Sequence, residues 1–277
     1  MRSLLFVPAN MPRMFEKARA SKADVVIYDL EDAVQPAAKA EAREVLVRHL
    51  APREQGQPAV AIRVNGLKTN WCREDIKVVS TIKPDYVMLP KAEGSDDIET
   101  LVACLGSDLE KTGVLIVATE TVASVLSLAA TSWSHPRLKG MLWGAEDLAA
   151  DLGATTSRTA SGEYSSPFRL ARDLCLMAAR KAGVTAIDAV HTQLRDIDDL
   201  RKEADAARRD GFDAKAAIHP AQVAVINDVF RPNSDEVSWA RRVLDALATS
   251  ATGVAVVDGV MMDAPHAARA RRILGGA

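Results

Sequence analysis

The chain has 277 residues, of which 48% are hydrophobic and 26% charged, and its formal net charge is −2. That balance supplies a sizeable core, for one large α/β domain or two ordinary ones, and argues against disorder. With no block of basic residues, neither nucleic acid nor an anionic membrane is expected as the main partner.

The start, Met1 to Pro8, has too short an apolar run for a secretory signal and no cleavage site. Its residues Ser3 to Val7 read as a strand closed by Pro8, and Pro12 opens a helix to about Ala20, where its missing N–H costs nothing. A second strand, Asp24 to Leu30, delivers the acids Asp29, Glu31 and Asp32, and a helix follows from about Pro36 to Leu50. After a polar Pro/Gly/Gln loop comes a strand from Val60 to Val64, with Arg63 near its end and Asn65-Gly66 turning the chain. Tyr86 to Leu89 is the fourth strand and runs into Pro90-Lys91-Ala92-Glu93. The fifth and sixth strands end at Glu120 and Asp147. A polar loop from Ala154 to Ser166, placed where a lid would sit, precedes a long helix near Pro167 to Lys181. Strand seven, Thr185 to Val190, leads to His191 and a helix near Leu194 to Arg209; strand eight, Ala214 to Ile218, ends at His219-Pro220.

Eight strand–helix units in a chain of this size make a (β/α)8 TIM barrel the economical fold, with a doubly wound sheet as the alternative. The barrel is expected over residues 1–232 and a C-terminal helix-hairpin-helix extension over 233–277. In the extension a helix from Asp235 to Leu247, capped by Ser234, is followed by a hairpin turning at Asp258-Gly259 and a last helix, Pro265 to Leu274, carrying Arg269, Arg271 and Arg272. Such a tail is too short for a core of its own, so it is expected to pack on the barrel or to reach another subunit. The three cysteines, Cys72, Cys104 and Cys175, form no metal-binding spacing and no disulfide framework, and no run approaches membrane-spanning length. A soluble cytoplasmic protein is expected.

Glu120 and Asp147 each follow a buried strand, so both would stand on the rim where open sheets and barrels keep their chemistry. Hard oxygen ligands with no Cys or His between them suit Mg2+, although the same acids could simply cap the following helices. Arg63 would point into the barrel mouth, where a planar, permanently charged fork suits a carboxylate or a developing enolate; its alternative is an ion pair with Glu31 or Asp32. His191 and His219 stand at strand ends and could move a proton, whereas His49, His135 and His266 read as surface residues. Lys91 could form a Schiff base, but Glu93 nearby is expected to keep it charged.

Taken in order, Leu5-Phe6-Val7-Pro8, Asp29-Leu30-Glu31-Asp32-Ala33-Val34, Ile62-Arg63-Val64-Asn65, Met88-Leu89-Pro90-Lys91-Ala92-Glu93, Glu120-Thr121, Gly144-Ala145-Glu146-Asp147-Leu148, Ala217-Ile218-His219-Pro220 and Met261-Met262-Asp263-Ala264-Pro265 span essentially the whole chain. The set resembles the citrate lyase beta subunit-like family, with its malyl-CoA and citramalyl-CoA lyases, within the HpcH/HpaI aldolase superfamily. The resemblance implies a TIM barrel, Mg2+ held by Glu120 and Asp147, and Arg63 contacting the substrate carboxylate and thioester enolate. It implies Asp263 as the acid/base, contributed by a neighbouring subunit of a homotrimer or hexamer. Glu31 and Asp32 would support the catalytic group by holding metal waters or Arg63, and Glu120 would also touch substrate. Phe6, Arg13, Lys17, His219 and Pro220 are the further candidates for binding the CoA thioester and the small 2-oxoacid.

The expected reaction is Mg2+-dependent carbon–carbon cleavage, or formation, of a 3-hydroxyacyl-CoA such as citramalyl-CoA or malyl-CoA, giving acetyl-CoA and a 2-oxoacid. The alternatives are a citryl-cleaving beta subunit acting on an acyl-carrier partner, and a malyl-CoA thioesterase. Ala9 and Ala123-Ser124 depart from the residues usual in the family, and the resemblance implies that these positions touch the CoA entrance and the 2-oxoacid pocket.

Overall fold

Eight short apolar runs pair in parallel in sequence order, and the eighth returns to the first, so the sheet closes into a barrel and the doubly wound alternative falls away. The structure is a computed structural model describing residues 1–50 and 58–275. The polar Pro/Gly/Gln loop expected after the second helix falls at 51–57, outside the described residues. The chain divides into two compact units, Met1–Phe230 and Arg231–Ala277.

In the first unit the repeats begin β1 (Ser3–Pro8) and α1 (Phe15–Ala20), β2 (Val25–Asp29) and α2 (Lys39–Leu50), β3 (Ala59–Arg63) and α3 (Cys72–Ile82). They continue as β4 (Tyr86–Leu89) and α4 (Ser95–Leu105), β5 (Gly113–Val117) and α5 (Val122–Ala130), then β6 (Leu138–Leu142) with α6 (Glu146–Leu152) and α7 (Ser166–Ala182). The last are β7 (Thr185–Asp188) and α8 (Ile197–Asp210), and β8 (Ala214–Ala217) and α9 (Pro220–Val229). The helices expected to open at Pro12 and Pro36 open instead as 3-10 turns, Pro12–Met14 and Pro36–Ala38. Such tight turns are common at helix starts, and proline's fixed φ and missing donor suit a first turn. Strands β5 and β7 stop short of the apolar runs that announce them, because the last residues of each run already leave the ladder for the loop above.

The period of two sorts the core. Val25 and Ile27 of β2 point into the barrel with Met88, Leu115, Leu142 and Ile187, while Val26 and Tyr28 face the helices with Leu46, Leu101 and Phe168. Each such fully buried side chain contributes roughly 1.5–3 kcal/mol. Gly140 of β6 allows the inner layer to close: a Cβ there would stand 2.9 Å from Ile187 Cδ1 and 3.0 Å from Leu115 Cδ2.

The second unit holds α10 (Ser234–Ala248), the antiparallel pair β9 (Ala255–Val257) and β10 (Val260–Met262), and α11 (Ala264–Ile273). The cap of α10 is Asn233, not Ser234. Asn233 Oδ1 accepts the Glu236 N–H at 2.8 Å and Glu236 Oε2 accepts the Asn233 N–H at 2.8 Å, a reciprocal pair that Ser234, as the first helical residue, cannot make. The hairpin turns at Asp258 and Gly259, with φ of 52° and 78°, as a two-residue primed turn requires. Contrary to expectation, this unit has a small core, formed by Ala240, Val243, Val257, Met262 and Ala270. Val256, Val260 and Met261 remain exposed.

Candidate active site

The C-terminal ends of the strands assemble charges that the sequence scatters over more than a hundred residues. Arg63, last in β3, stands in register with Asp29, last in β2. Its Nε and Nη2 donate to the two Asp29 oxygens at 2.8 and 2.6 Å, and Nη1 is 2.9 Å from Glu31 Oε2. Its guanidinium also lies 5.1 Å from the centroid of the Phe6 ring. The expected ion pair with Glu31 therefore forms. Its stronger partner is Asp29, to which the sequence reading gave no role, and Asp32 lies instead 3.7 Å from Lys91 Nζ. Burial opposes the charge on Arg63, but the charge and hydrogen bonds of Asp29, then Glu31 and Glu120, raise its pKa above the ordinary arginine value.

Glu120 and Asp147 both line one cavity of about 440 Å3, together with Phe6, Arg63 and Asp32. Glu120 caps no helix; Asp147, expected at the end of the sixth strand, stands instead in the first turn of α6, where an acid suits the helix dipole, without being its cap. The cap of α5 is Thr121, whose hydroxyl accepts the Ser124 N–H at 3.0 Å, and the residue before α6 is Ala145. The two exits are tied together by Thr119, whose hydroxyl donates to the Gly144 carbonyl at 3.1 Å and accepts the Gly144 N–H at 2.9 Å. Glu120 is 4% exposed and accepts the Lys91 N–H at 2.5 Å. Burial first, then the charges of Glu31 and Asp147, push its carboxyl up to about 8 against the pull of Arg63. A buried carboxylate with a raised pKa and a second carboxylate on the wall of the same cavity are a donor set that suits a hard divalent cation.

Lys91 stands between these acids. Its Nζ is 2.5 Å from Glu31 Oε1 and 3.1 Å from Asp147 Oδ1. Burial pulls its pKa down, but the hydrogen bond and charge of Glu31, then Glu120 and Asp147, outweigh that and raise it above the ordinary lysine value. An ammonium held in this way is a poor imine nucleophile. Glu93, expected to hold it, pairs instead with Lys68 at 2.7 Å.

Other expected substrate contacts stand apart from the cavity wall. Arg13 and Lys17 are exposed, Arg13 in the 3-10 turn and Lys17 on α1. His219 caps α9 through Nδ1, which accepts the Ala221 N–H at 3.2 Å, and Pro220 opens that helix; of this stretch it is Ile218 that lines the cavity. Asp263 belongs to the second unit, where it caps α11 and its Oδ1 lies 2.7 Å from His266 Nδ1, so His266 is engaged rather than a plain surface residue.

The polar loop after α6 contributes a wall. Tyr164 lines the cavity and packs edge-on against Trp143 with centroids 4.7 Å apart. Arg158 stacks 4.0 Å over the Tyr164 ring, donates to its hydroxyl at 2.9 Å and pairs with Glu203 at 2.6 Å. Behind that wall lies a buried network: Trp143 Nε1 donates to Asp188 Oδ1 at 2.7 Å, Lys215 Nζ to Asp188 Oδ2 at 2.6 Å, and His191 Nδ1 is 3.0 Å from Glu203 Oε2. His191, Asp199 and Glu203 bring ligand atoms within 4.8 Å of one another. With Arg158 and Lys215 already on Glu203, a metal there would meet two positive charges. No sequence pattern announces Tyr164, which sits in an irregular loop. Asp29 was visible as a member of the acid cluster.

Residues 2–220 match the family model described as HpcH/HpaI aldolase/citrate lyase. The chain belongs to this family. A (3S)-malyl-CoA thioesterase of Cereibacter sphaeroides is 38% identical over all of this chain and 94% of the relative. A citrate lyase subunit beta-like protein of Mycobacterium tuberculosis is 37% identical over 98% of this chain and 93% of its own. The solved structure of CitE from M. tuberculosis in complex with magnesium, acetoacetate and coenzyme A superimposes with a TM-score of 0.83 at 35% identity, covering 99% of this chain and 97% of that one. Among the described residues, no helix is long and apolar enough to cross a membrane.

Proposed function

We propose that this protein is a Mg2+-dependent carbon–carbon lyase that cleaves, or forms, a 3-hydroxyacyl-CoA such as malyl-CoA or citramalyl-CoA, with acetyl-CoA and a 2-oxoacid as the products of cleavage. The observation that carries this reading is the meeting of Glu120, Asp147 and Arg63 on the wall of one cavity at the C-terminal mouth of the barrel. Glu120 and Asp147 would hold the ion, which when bound supplies a Lewis acid for the oxygens of the 2-oxoacid. The magnesium and coenzyme A of the CitE complex support the cofactor and the substrate class.

In the cleavage direction the Asp263 carboxylate of a neighbouring copy takes the hydroxyl proton, the bond between carbons 2 and 3 breaks, and its electron pair moves onto the thioester as an enolate. Arg63 has five N–H donors, of which two donate to Asp29, while Nη1 forms an ion pair with Glu31, so N–H groups remain for the enolate oxygen or the substrate carboxylate. The ion pairs hold the fork in place before the substrate arrives, so little reorganisation is required as charge develops. A proton must then be delivered to the enolate carbon. In this reading Asp263 delivers it from the second unit of a neighbouring copy in a homotrimer or hexamer, and Glu31 and Asp32 orient Arg63 and the ion's waters. Tyr164 and Trp143 shield the reacting atoms from water, which favours protonation at carbon over hydrolysis.

The malyl-CoA thioesterase relative supports a second reading, in which water attacks the thioester and the carbon skeleton survives. Product analysis separates the two. Purified protein with Mg2+ and malyl-CoA or citramalyl-CoA should release glyoxylate or pyruvate and acetyl-CoA in equal amounts. Free CoA thiol with the intact hydroxydiacid, and no 2-oxoacid, would replace the lyase by the thioesterase.

A further inference from the structure

Lys91 is built unlike an ordinary rim lysine. Its backbone lies in the left-handed region at φ 52°, where a side chain with a Cβ is uncommon. That bend lets one residue serve three acids: its N–H reaches Glu120, while its ammonium reaches Glu31 and Asp147. Glu31 is buried and has Arg63 as a second cation. Asp147 is half-buried, and the charge that meets it is the Lys91 ammonium. Backbone strain of this kind persists where the surroundings over-determine it, and here they do so at the two carboxylates best placed to hold an ion.

We propose that Lys91 is a positioning residue whose ammonium stands in for the metal's charge: it holds Asp147 in the metal-free protein and cedes it when a divalent cation enters, remaining on Glu31. Lys91 thereby keeps the carboxylates from repelling one another before the ion arrives, and it sets how tightly the ion is held. The inference rests on Glu120 and Asp147 being the ligands.

Removing the ammonium changes both sides of the equilibrium in one direction. The metal-free site loses its internal counter-charge, and the occupied site loses a positive neighbour of the ion. Calorimetric titration of the full chain with MgCl2 after EDTA treatment tests this. Lys91→Met should bind Mg2+ about tenfold more tightly than the wild type, since a single charge at such a distance in a partly buried site is worth at least that factor. Its melting temperature should fall in EDTA and recover at saturating Mg2+, so the Mg2+-induced shift exceeds that of the wild type. Lys91→Arg, which keeps the charge, should bind Mg2+ nearly as the wild type does.

Equal or weaker Mg2+ binding by folded Lys91→Met overturns the inference, and so does a Lys91→Met chain that stays unfolded at saturating Mg2+, because the ion should replace the missing charge. Asp147→Asn separates the two levels. If it loses Mg2+ binding while Lys91→Met gains none, the inference alone fails. If it binds Mg2+ as the wild type does, the ligand reading fails and the inference falls with it.

Discussion

Arg63 shows how a single side chain is made ready for one job. Asp29 grips it in bidentate fashion and Glu31 pairs with Nη1, so the fork is held in place on the cavity wall. Lysine keeps the charge but not the fork. Arg63→Lys should therefore lower kcat/KM about a hundredfold or more while Mg2+ affinity, read by calorimetry, changes little; unchanged kinetics would remove Arg63 from the reaction. Glu203 makes a different residue-scale case. Burial raises its carboxyl, but the His191 hydrogen bond, then Lys215 and Arg158, outweigh it and hold the pKa at about 2. A carboxylate depressed on folding stabilises the protein above its unfolded value near 4.5, and that stability drains away as pH falls from there towards 2. Glu203→Gln should forfeit on the order of 2 kcal/mol at neutral pH and flatten the dependence of melting temperature over that acid window. An acid limb as steep as the wild type's would show that the network is not the source of the depression.

The loop between α6 and α7 is an element whose fold the sequence could not give. Its polar composition suggested a lid, but the cavity wall depends on Arg158 bridging Tyr164 and Glu203, residues that periodicity does not connect. Arg158→Ala should free Tyr164 and raise KM for the acyl-CoA roughly tenfold, with Mg2+ affinity unchanged, because one charge-assisted contact is lost away from the ion; an unaltered KM would make the loop a bystander. The strands were legible because apolar runs bounded by Pro, Gly and acids mark them out; Tyr86–Leu89 falls where its sequence places it, whereas β5 and β7 end before their runs do. Charge partners were less legible. The alternative partner for Arg63, Glu31 or Asp32, is met at Glu31, but parallel register also puts Asp29 opposite it, and register is a property of the sheet rather than of the neighbouring residues. Lys91 was expected to meet Glu93, two residues on; the left-handed turn carries its ammonium to Glu31 and Asp147 instead.

At the scale of the whole molecule, the eight strand–helix repeats can be counted along the chain, whereas closure rests on β8 pairing with β1; the acids after β5 and β6 reach one cavity because parallel strands deliver their C-terminal ends to the same rim. The role proposed for Asp263 requires more than one copy. Mixing inactive Arg63→Ala with inactive Asp263→Asn subunits should restore part of the activity through sites assembled from one intact barrel and one intact tail. Failure to complement, with mixed oligomers demonstrated by mass, would assign each tail to its own barrel.

The most direct test is a crystal structure of the protein grown with magnesium and pyruvate. The expected map shows one ion within about 2.1 Å of carboxylate oxygens from both Glu120 and Asp147, the 2-oxoacid chelating it beside Arg63. An ion held instead by His191, Asp199 and Glu203, or Glu120 and Asp147 turned apart with none between them, would contradict the lyase mechanism.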